Sequence, residues 1–419
     1  MISLNYEQAV GYIHSLLVFG IKPGLERISV LLDRLGNPQN KIKFIHVAGT
    51  NGKGSTSTML SNALISSGYK TGLFTSPYVF DFCERIRVNG ENISKSDMAN
   101  TVTKIKPIID KLSEEGIVIT EFEAVTAAAL LYFCEEKCDF AVMEVGLGGR
   151  FDATNVIKRP EVAVITSISK DHTRILGDTV EKIAFEKCGI IKDNSTVVTT
   201  SLQDKAALEV IKNISNERHA SLIVADFESV NIISESKNGT DFIYKDKEYF
   251  VSLDGRHQVE NAIGVIEAAR QINGVSENDI VNSLKNTVMH GRMELIKDNV
   301  LIDGGHNEEC SRALADVLKS EFSDRDITAV IGMMADKECE KYLSNILPYC
   351  KRVVFTKPEN PRSEEPERLR DLSKKYIAKD KIDIEINPKI AYNIAVESSP
   401  FVLVCGSFYL ISDVFKDER

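Results

Sequence analysis

The chain has 419 residues, 43% of them hydrophobic and 27% charged, with a formal net charge of −10. That length accommodates two or three domains with their own cores, and the acidic balance excludes a general nucleic-acid binder, which needs a basic surface to displace counterions. No apolar run approaches the roughly 18 residues of a membrane helix, and the opening MISLNYEQAV lacks the basic-then-apolar pattern of a secretory leader, so a cytoplasmic location is expected.

The first strong element in chain order is IKFIHVA (Ile42–Ala48), a near-continuous hydrophobic run of the kind that suits a strand covered on both faces. A glycine-rich loop follows, then the helical pattern STSTMLSNALISSG. Cys134 and Cys138 are the closest pair among eight scattered cysteines; no second pair completes a zinc set, so ordinary buried thiols are expected. DFAVMEV (Asp139–Val145), VAVITSI (Val162–Ile168) and STVVTT (Ser195–Thr200) read as further buried strands separated by helical segments. That alternation predicts a doubly wound α/β sheet.

From Ser221 to Leu253 the rhythm changes. FIYKDKEYFVSL (Phe242–Leu253) alternates around a charged turn and predicts an antiparallel hairpin. QVENAIGVIEAARQI (Gln258–Ile272) then puts Val259, Ala262, Ile263 and Ile266 on one helix face. After HGRMELIKDN a second α/β series begins, with strands VLIDGG, ITAVIGMM, RVVFTK, IDIEI and FVLVCG. The expected architecture is a P-loop-containing, doubly wound, mostly parallel sheet domain over 1–295 with a small antiparallel β region. A smaller Rossmann-like α/β domain is expected over 296–419.

The loop in HVAGTNGKGSTSTML departs from the usual phosphate-binding pattern of Gly, four residues, then Gly-Lys-Ser/Thr. Val47 stands where the first glycine belongs, and Gly54 separates Lys53 from Ser55. Its context is nevertheless strand–loop–helix, in which amides freed by Gly49, Gly52 and Gly54 and the helix N-terminus can face phosphate oxygens. Lys53 would add formal charge, and Ser55 or Thr56 a hydroxyl for phosphate or Mg²⁺; the alternative is a glycine-rich turn with a solvated lysine. Glu144 ends the run FAVM and His172 follows VAVITSIS, so both are expected at the same carboxyl edge of the sheet as Lys53. A carboxylate and an imidazole beside phosphates point to a Mg²⁺ or Mn²⁺ site; capping for the one and a hydrogen bond for the other are the bland readings. In DTVEKIAFEKCGII, Asp178 and Glu181 read as a capping pair and Gly189 as the stop. Val180, Ile183, Ala184 and Lys187 then share an inward stripe. A lysine there either snorkels out along its stem or is carbamylated to an anion able to ligate a metal.

The motifs LERISVLLDRLGNPQ, IHVAGTNGKGST, GLFTSPYVFDFCERI, EFEAVTAAAL, AVMEVGLGGRFDATN, DHTRILGDTVEKIAFEKCGIIK, HGRMELI, LIDGGHN and VCGSFYLISDV run from Gly24 to Val414. In this order they resemble folylpolyglutamate synthase/dihydrofolate synthase, the folate branch of the Mur ligase superfamily, and the extra glycine after the lysine is that branch's own form of the loop. The resemblance implies an ATP- and Mg²⁺-dependent ligase that activates a folate or dihydropteroate carboxylate as an acyl phosphate and joins it to L-glutamate. It assigns Gly49, Thr50, Asn51, Gly52, Lys53, Gly54, Ser55 and Thr56 to the phosphates. Ser76 and Glu144 would hold one Mg²⁺, and Glu144, His172 and a carbamylated Lys187 a second. Lys53, Lys187 and His172 become the catalytic candidates.

The same resemblance makes Asn261, Arg292, Asp303 and His306 ATP contacts, with the cleft between domains as the active site. It puts Arg85, Phe122, Arg150 and Asp152 near the pterin or the reacting carboxylate. A monovalent cation stays open, and nothing demands more than a monomer acting on small molecules, without nucleic acid or membrane. A cell-wall Mur ligase is disfavoured by GTNGKGST, LGNPQ and TSP, and by the expectation that no UDP-binding domain precedes residue 42. The chain departs from the family pattern at Tyr78, where histidine is common, at Gly305 and Glu308, where alanine and proline are usual, and in SKDH, which lacks the frequent aromatic. These departures leave every expected phosphate and metal ligand in place and bear on substrate preference.

Overall fold

A computed structural model describes residues 3–20, 22–236 and 238–416. The chain divides into two units, one running to Pro77 and resuming over Phe82–Thr287, the other comprising Tyr78–Asp81 and the chain from Val288 onward. This division precedes the 295/296 boundary expected from sequence because Glu294–Lys297 is a strand rather than a linker. It pairs antiparallel with Val300–Asp303 at the edge of the second sheet.

The first unit is built on strands β1 (Lys43–Ala48), β2 (Thr71–Phe74), β3 (Ile86–Val88), β4 (Glu91–Asn92), β5 (Phe140–Glu144), β6 (Val162–Ile165), β7 (Thr196–Thr200) and β8 (Ser221–Ala225). Their order is β4-β3-β2-β5-β1-β6-β7-β8. All neighbours from β2 to β8 run parallel, and only β3 and β4 form an antiparallel edge. The near-continuous hydrophobic reading of β1 has a direct cause. Ile45 and Val47 pack with Met59, Leu60, Ala262 and Ile266 of the helices Lys53–Ser66 and Arg256–Ala269. Ala48 joins Ile183 and Ala184 in a second cluster. Each fully buried Ile, Val, Leu or Met side chain among them contributes roughly 1.5–3 kcal/mol.

Since β5 and β6 flank β1 on opposite sides, strand order reverses at β1. The loops after these three strands open at one sheet edge, where open α/β sheets bind ligands.

Three features differ from the sequence reading. Ser221–Ala225 is a parallel edge strand of the main sheet, so the antiparallel region begins later, with β9 (Val230–Ser236), β10 (Gly239–Tyr244) and β11 (Lys247–Val251) in order β11-β10-β9. The expected hairpin is β10–β11, turning at Lys245 and Asp246 with φ of 50° and 64°; β9 escaped notice because it is largely solvent-exposed. The helix Val180–Lys187 is capped by Thr179, whose hydroxyl accepts from the Lys182 amide at 3.4 Å, whereas Asp178 pairs with the Lys182 ammonium at 2.8 Å. Thr179 has the extended backbone a cap needs.

The second unit carries β12 (Glu294–Lys297), β13 (Val300–Asp303), β14 (Ile327–Ile331), β15 (Arg352–Phe355), β16 (Ile382–Ile384) and β17 (Phe401–Cys405), ordered β12-β13-β17-β14-β15-β16. All pairs except β12–β13 are parallel. No helix among the described residues is long and apolar enough to cross a membrane.

Candidate active site

The glycine-rich loop links β1 to the Lys53–Ser66 helix, and two glycines make its path possible. Gly52 caps the helix in the left-handed region at φ 81°, which costs a residue with a Cβ far more than glycine. A Cβ there would strike the Asn261 side chain, and one at Gly49 would strike Thr166 Oγ1. Asn261 thus lies directly against the loop, and Thr166 fills the space on its other flank.

Below this point the loop is stapled to the segment that follows β6. Thr50 N donates to Ser167 O at 2.7 Å, and its hydroxyl bonds Ser169 O at 3.0 Å while accepting from Ser169 N at 3.1 Å. Thr166 donates to Asn51 O at 2.7 Å. Buried Gln203 completes the staple, donating to Thr166 O at 2.6 Å and accepting from Ile168 N at 3.0 Å. Neither Thr166 nor Gln203 was singled out from sequence. A threonine at a strand end carried a weak signal, and a glutamine after TTSL carried none.

Lys53 and Lys187 converge on one acceptor. Lys53 Nζ donates to Gly49 O at 3.1 Å and Thr50 O at 3.0 Å, and Lys187 Nζ donates to Gly49 O at 2.6 Å. Lys187 is 5% exposed. Burial, then repulsion from Lys53, pushes its amine from 10.5 down to about 7, so near neutral pH much of it is the uncharged nucleophile. This donor set fits an anion on each lysine, a phosphate on Lys53 and a carbamate on Lys187. Thr56 Oγ1, in the helix's first turn, is buried without a hydrogen-bond partner.

Glu144 ends β5 opposite Val47 in register. It is 4% exposed, and its Oε2 accepts from Ser76 N at 3.0 Å, so Ser76 and Glu144 do meet. His172 is half-buried in the left-handed region at φ 49°, with its amide on Asp171 Oδ1 at 2.7 Å. Among the described residues no three His, Cys, Asp or Glu side chains form a metal-holding group. The expected metal set therefore depends on the Ser76 hydroxyl and a modified Lys187 as oxygen donors.

Of the substrate-side candidates, Arg85 is buried over the Phe82 ring at 5.4 Å and lies 3.6 Å from Glu121. Phe122 tilts against Phe74 at 5.8 Å and covers Gly146 so closely that a Cβ there would enter its ring. Arg150 is exposed, its guanidinium 4.6 Å from the Phe151 ring and 5.2 Å from Phe185. Asp152 is buried, and both its oxygens serve its own loop: Leu147 N reaches Oδ2 at 2.8 Å, and Thr154 N and Oγ1 reach Oδ1 at 3.0 and 2.6 Å.

In the second unit, Asp303 ends β13 and accepts from Gly305 N at 2.9 Å and Met293 N at 3.1 Å. Burial raises its carboxyl while nearby Arg292 opposes the rise. Arg292 rests 4.6 Å over Phe408, which in turn packs on Gly304. His306 is half-buried just before Asn307, the cap of the Glu308–Glu321 helix.

Two family descriptions match the chain: the Mur ligase middle domain over residues 47–269 and the Mur ligase glutamate ligase domain over 291–408. A dihydrofolate synthase/folylpolyglutamate synthase of Bacillus subtilis is 39% identical, with 98% of each chain covered. The chain belongs to this folate branch of the Mur ligases. Solved ligases of the branch share the fold. The Mycobacterium tuberculosis folylpolyglutamate synthase complexed with ADP and AMPPCP superposes with a TM-score of 0.89 at 29% identity, with 98% of each chain covered. Escherichia coli FolC in complex with DHPP and ADP gives 0.84 at 28% identity, covering 99% of this chain and 98% of the other. As an ATP-dependent ligase of this family, the protein carries the Gly49–Thr56 loop at the sheet's point of strand reversal.

Proposed function

We propose that this ligase phosphorylates a carboxylate of a folate or dihydropteroate substrate and joins it to L-glutamate. The carboxylate oxygen attacks the γ-phosphorus of ATP and ADP leaves. The glutamate amine then attacks the acyl phosphate carbon and loses a proton, and the tetrahedral intermediate collapses to an amide with release of phosphate. Such a reaction needs positioning and charge stabilisation more than covalent help from the protein.

The observation that carries the reading is the convergence of Lys53 and Lys187 on the Gly49 carbonyl. Lys53 and the N-terminus of the helix that Gly52 opens hold the phosphates. Neutral Lys187 attacks CO₂ through its nitrogen and releases a proton, becoming a carbamate that replaces a cation with an anion. Mg²⁺, held by Ser76 and Glu144 and by Glu144, His172 and the Lys187 carbamate, would neutralise charge on the transferred phosphoryl group. Asn261, Arg292, Asp303 and His306 are the remaining ATP contacts. Phe122, Arg85 and Arg150 serve the pterin and carboxylate side, where Asp152 acts by holding the loop that carries Arg150. The relative named dihydrofolate synthase/folylpolyglutamate synthase supports such a substrate.

Phosphate release from ATP with Mg²⁺ and L-glutamate tests this, comparing dihydropteroate with reduced folates. Glutamate-dependent release with both acids makes the enzyme bifunctional, and release with one assigns it to that step. Release independent of glutamate and pterin would overturn the proposal.

A further inference from the structure

His46 lies in β1, three residues before the phosphate loop, and is completely buried. Its Nε2 is 2.8 Å from Thr154 Oγ1. Thr154 has one hydroxyl hydrogen, committed to Asp152 Oδ1 at 2.6 Å, so the hydroxyl oxygen must accept from His46. The imidazole is therefore the Nε2–H tautomer. Its Nδ1 is left buried with no partner, and burial, with the nearby charge of Lys192, pushes the ring down to about 3, so it stays neutral. Asp152 passes the connection on, its Oδ2 accepting from Leu147 N at 2.8 Å. Leu147 belongs to the turn after Glu144, beside Gly146 on which Phe122 sits, and Arg150 follows three residues later.

A buried imidazole with one orphaned nitrogen is a poor way to stabilise an interior. Its presence is explained by the one bond it makes. We propose that His46 and Thr154 are positioning residues that act through Asp152 to set the Gly146–Arg150 turn for the pterin acid. The inference rests on the ligase reading for the identity of that substrate. The relay ties the turn to the floor of β1 rather than to the nucleotide loop, so its loss moves pterin binding and leaves nucleotide binding in place.

The test compares Thr154→Val, which keeps shape and removes the hydroxyl, with Thr154→Ser, which keeps the hydroxyl. Three quantities are read: the KM for dihydropteroate or a reduced folate, ADP affinity by calorimetry, and hydrogen exchange of the Leu147 amide. Thr154→Val should raise the pterin KM by about tenfold or more, as expected for a loop released from its support. ADP affinity should hold within about twofold, Leu147 exchange should accelerate, and Thr154→Ser should restore both readouts. An unchanged KM, or a parallel loss of ADP affinity, would overturn the relay as a pterin-side device. Should the wild-type protein turn over no pterin, the ligase reading fails by itself. The exchange arm still decides the relay, since unaltered Leu147 protection in Thr154→Val overturns it.

Discussion

Replacing Lys187 with methionine should stabilise the fold at low pH while abolishing activity. The amine is buried, with its ammonium on a single backbone carbonyl, Gly49 O. Its folded value of about 7 lies below the ordinary 10.5. Between those values the unfolded chain binds the extra proton, so stability rises with pH through the window. Below about 7 both states are charged and the full cost is present; above about 10.5 both are neutral and it vanishes. At about 1.4 kcal/mol per tenfold change the gap amounts to roughly 5 kcal/mol. Loss of the bond to Gly49 O returns about 1 kcal/mol of that, and local relaxation takes more. Lys187→Met should therefore gain about 2–4 kcal/mol at pH 6, shrinking steadily towards pH 10. Urea unfolding of both proteins in metal-free, bicarbonate-free buffer measures it. A variant no more stable than wild type at pH 6, or a gain that does not fall with pH, would refute the argument that this ammonium is held at a cost.

The loop makes its own predictions. Lys53→Ala should lower kcat by about 10²–10³-fold with the fold intact, and near-normal turnover would remove Lys53 from the phosphate site. Gly49→Ala drives a methyl into Thr166 Oγ1, so ADP affinity measured by calorimetry should fall by about tenfold or more; unaltered affinity would mean the loop has room that the geometry denies. Gln203→Leu strands the Thr166 carbonyl and the Ile168 amide, at about 1–3 kcal/mol for a buried polar group left unpaired. Denaturant unfolding should show that loss together with weaker ADP binding, and a stability equal to wild type would count against the staple.

The layered architecture is legible in local pattern alone. Near-continuous hydrophobic runs such as Ile42–Ala48 are satisfied where helices cover both faces of a strand. The same local logic exposed the strand–loop–helix around Lys53 and the inward place of Lys187, because helical spacing is a property of a few consecutive residues. Short edge strands such as Glu91–Asn92 and the exposed Val230–Ser236 left no periodic signal, and the cap shifted from Asp178 to Thr179 on a difference of one residue in backbone conformation. Arg85, Phe122 and Arg292 were legible only through family resemblance. Tertiary structure alone decided that Asn261 closes over Gly52, that Lys53 and Lys187 share the Gly49 carbonyl, and that His46 reaches Asp152 through Thr154. Those pairings join residues roughly a hundred or more positions apart, and hydrogen bonds at such separations depend on strand order, which no local pattern of side chains encodes.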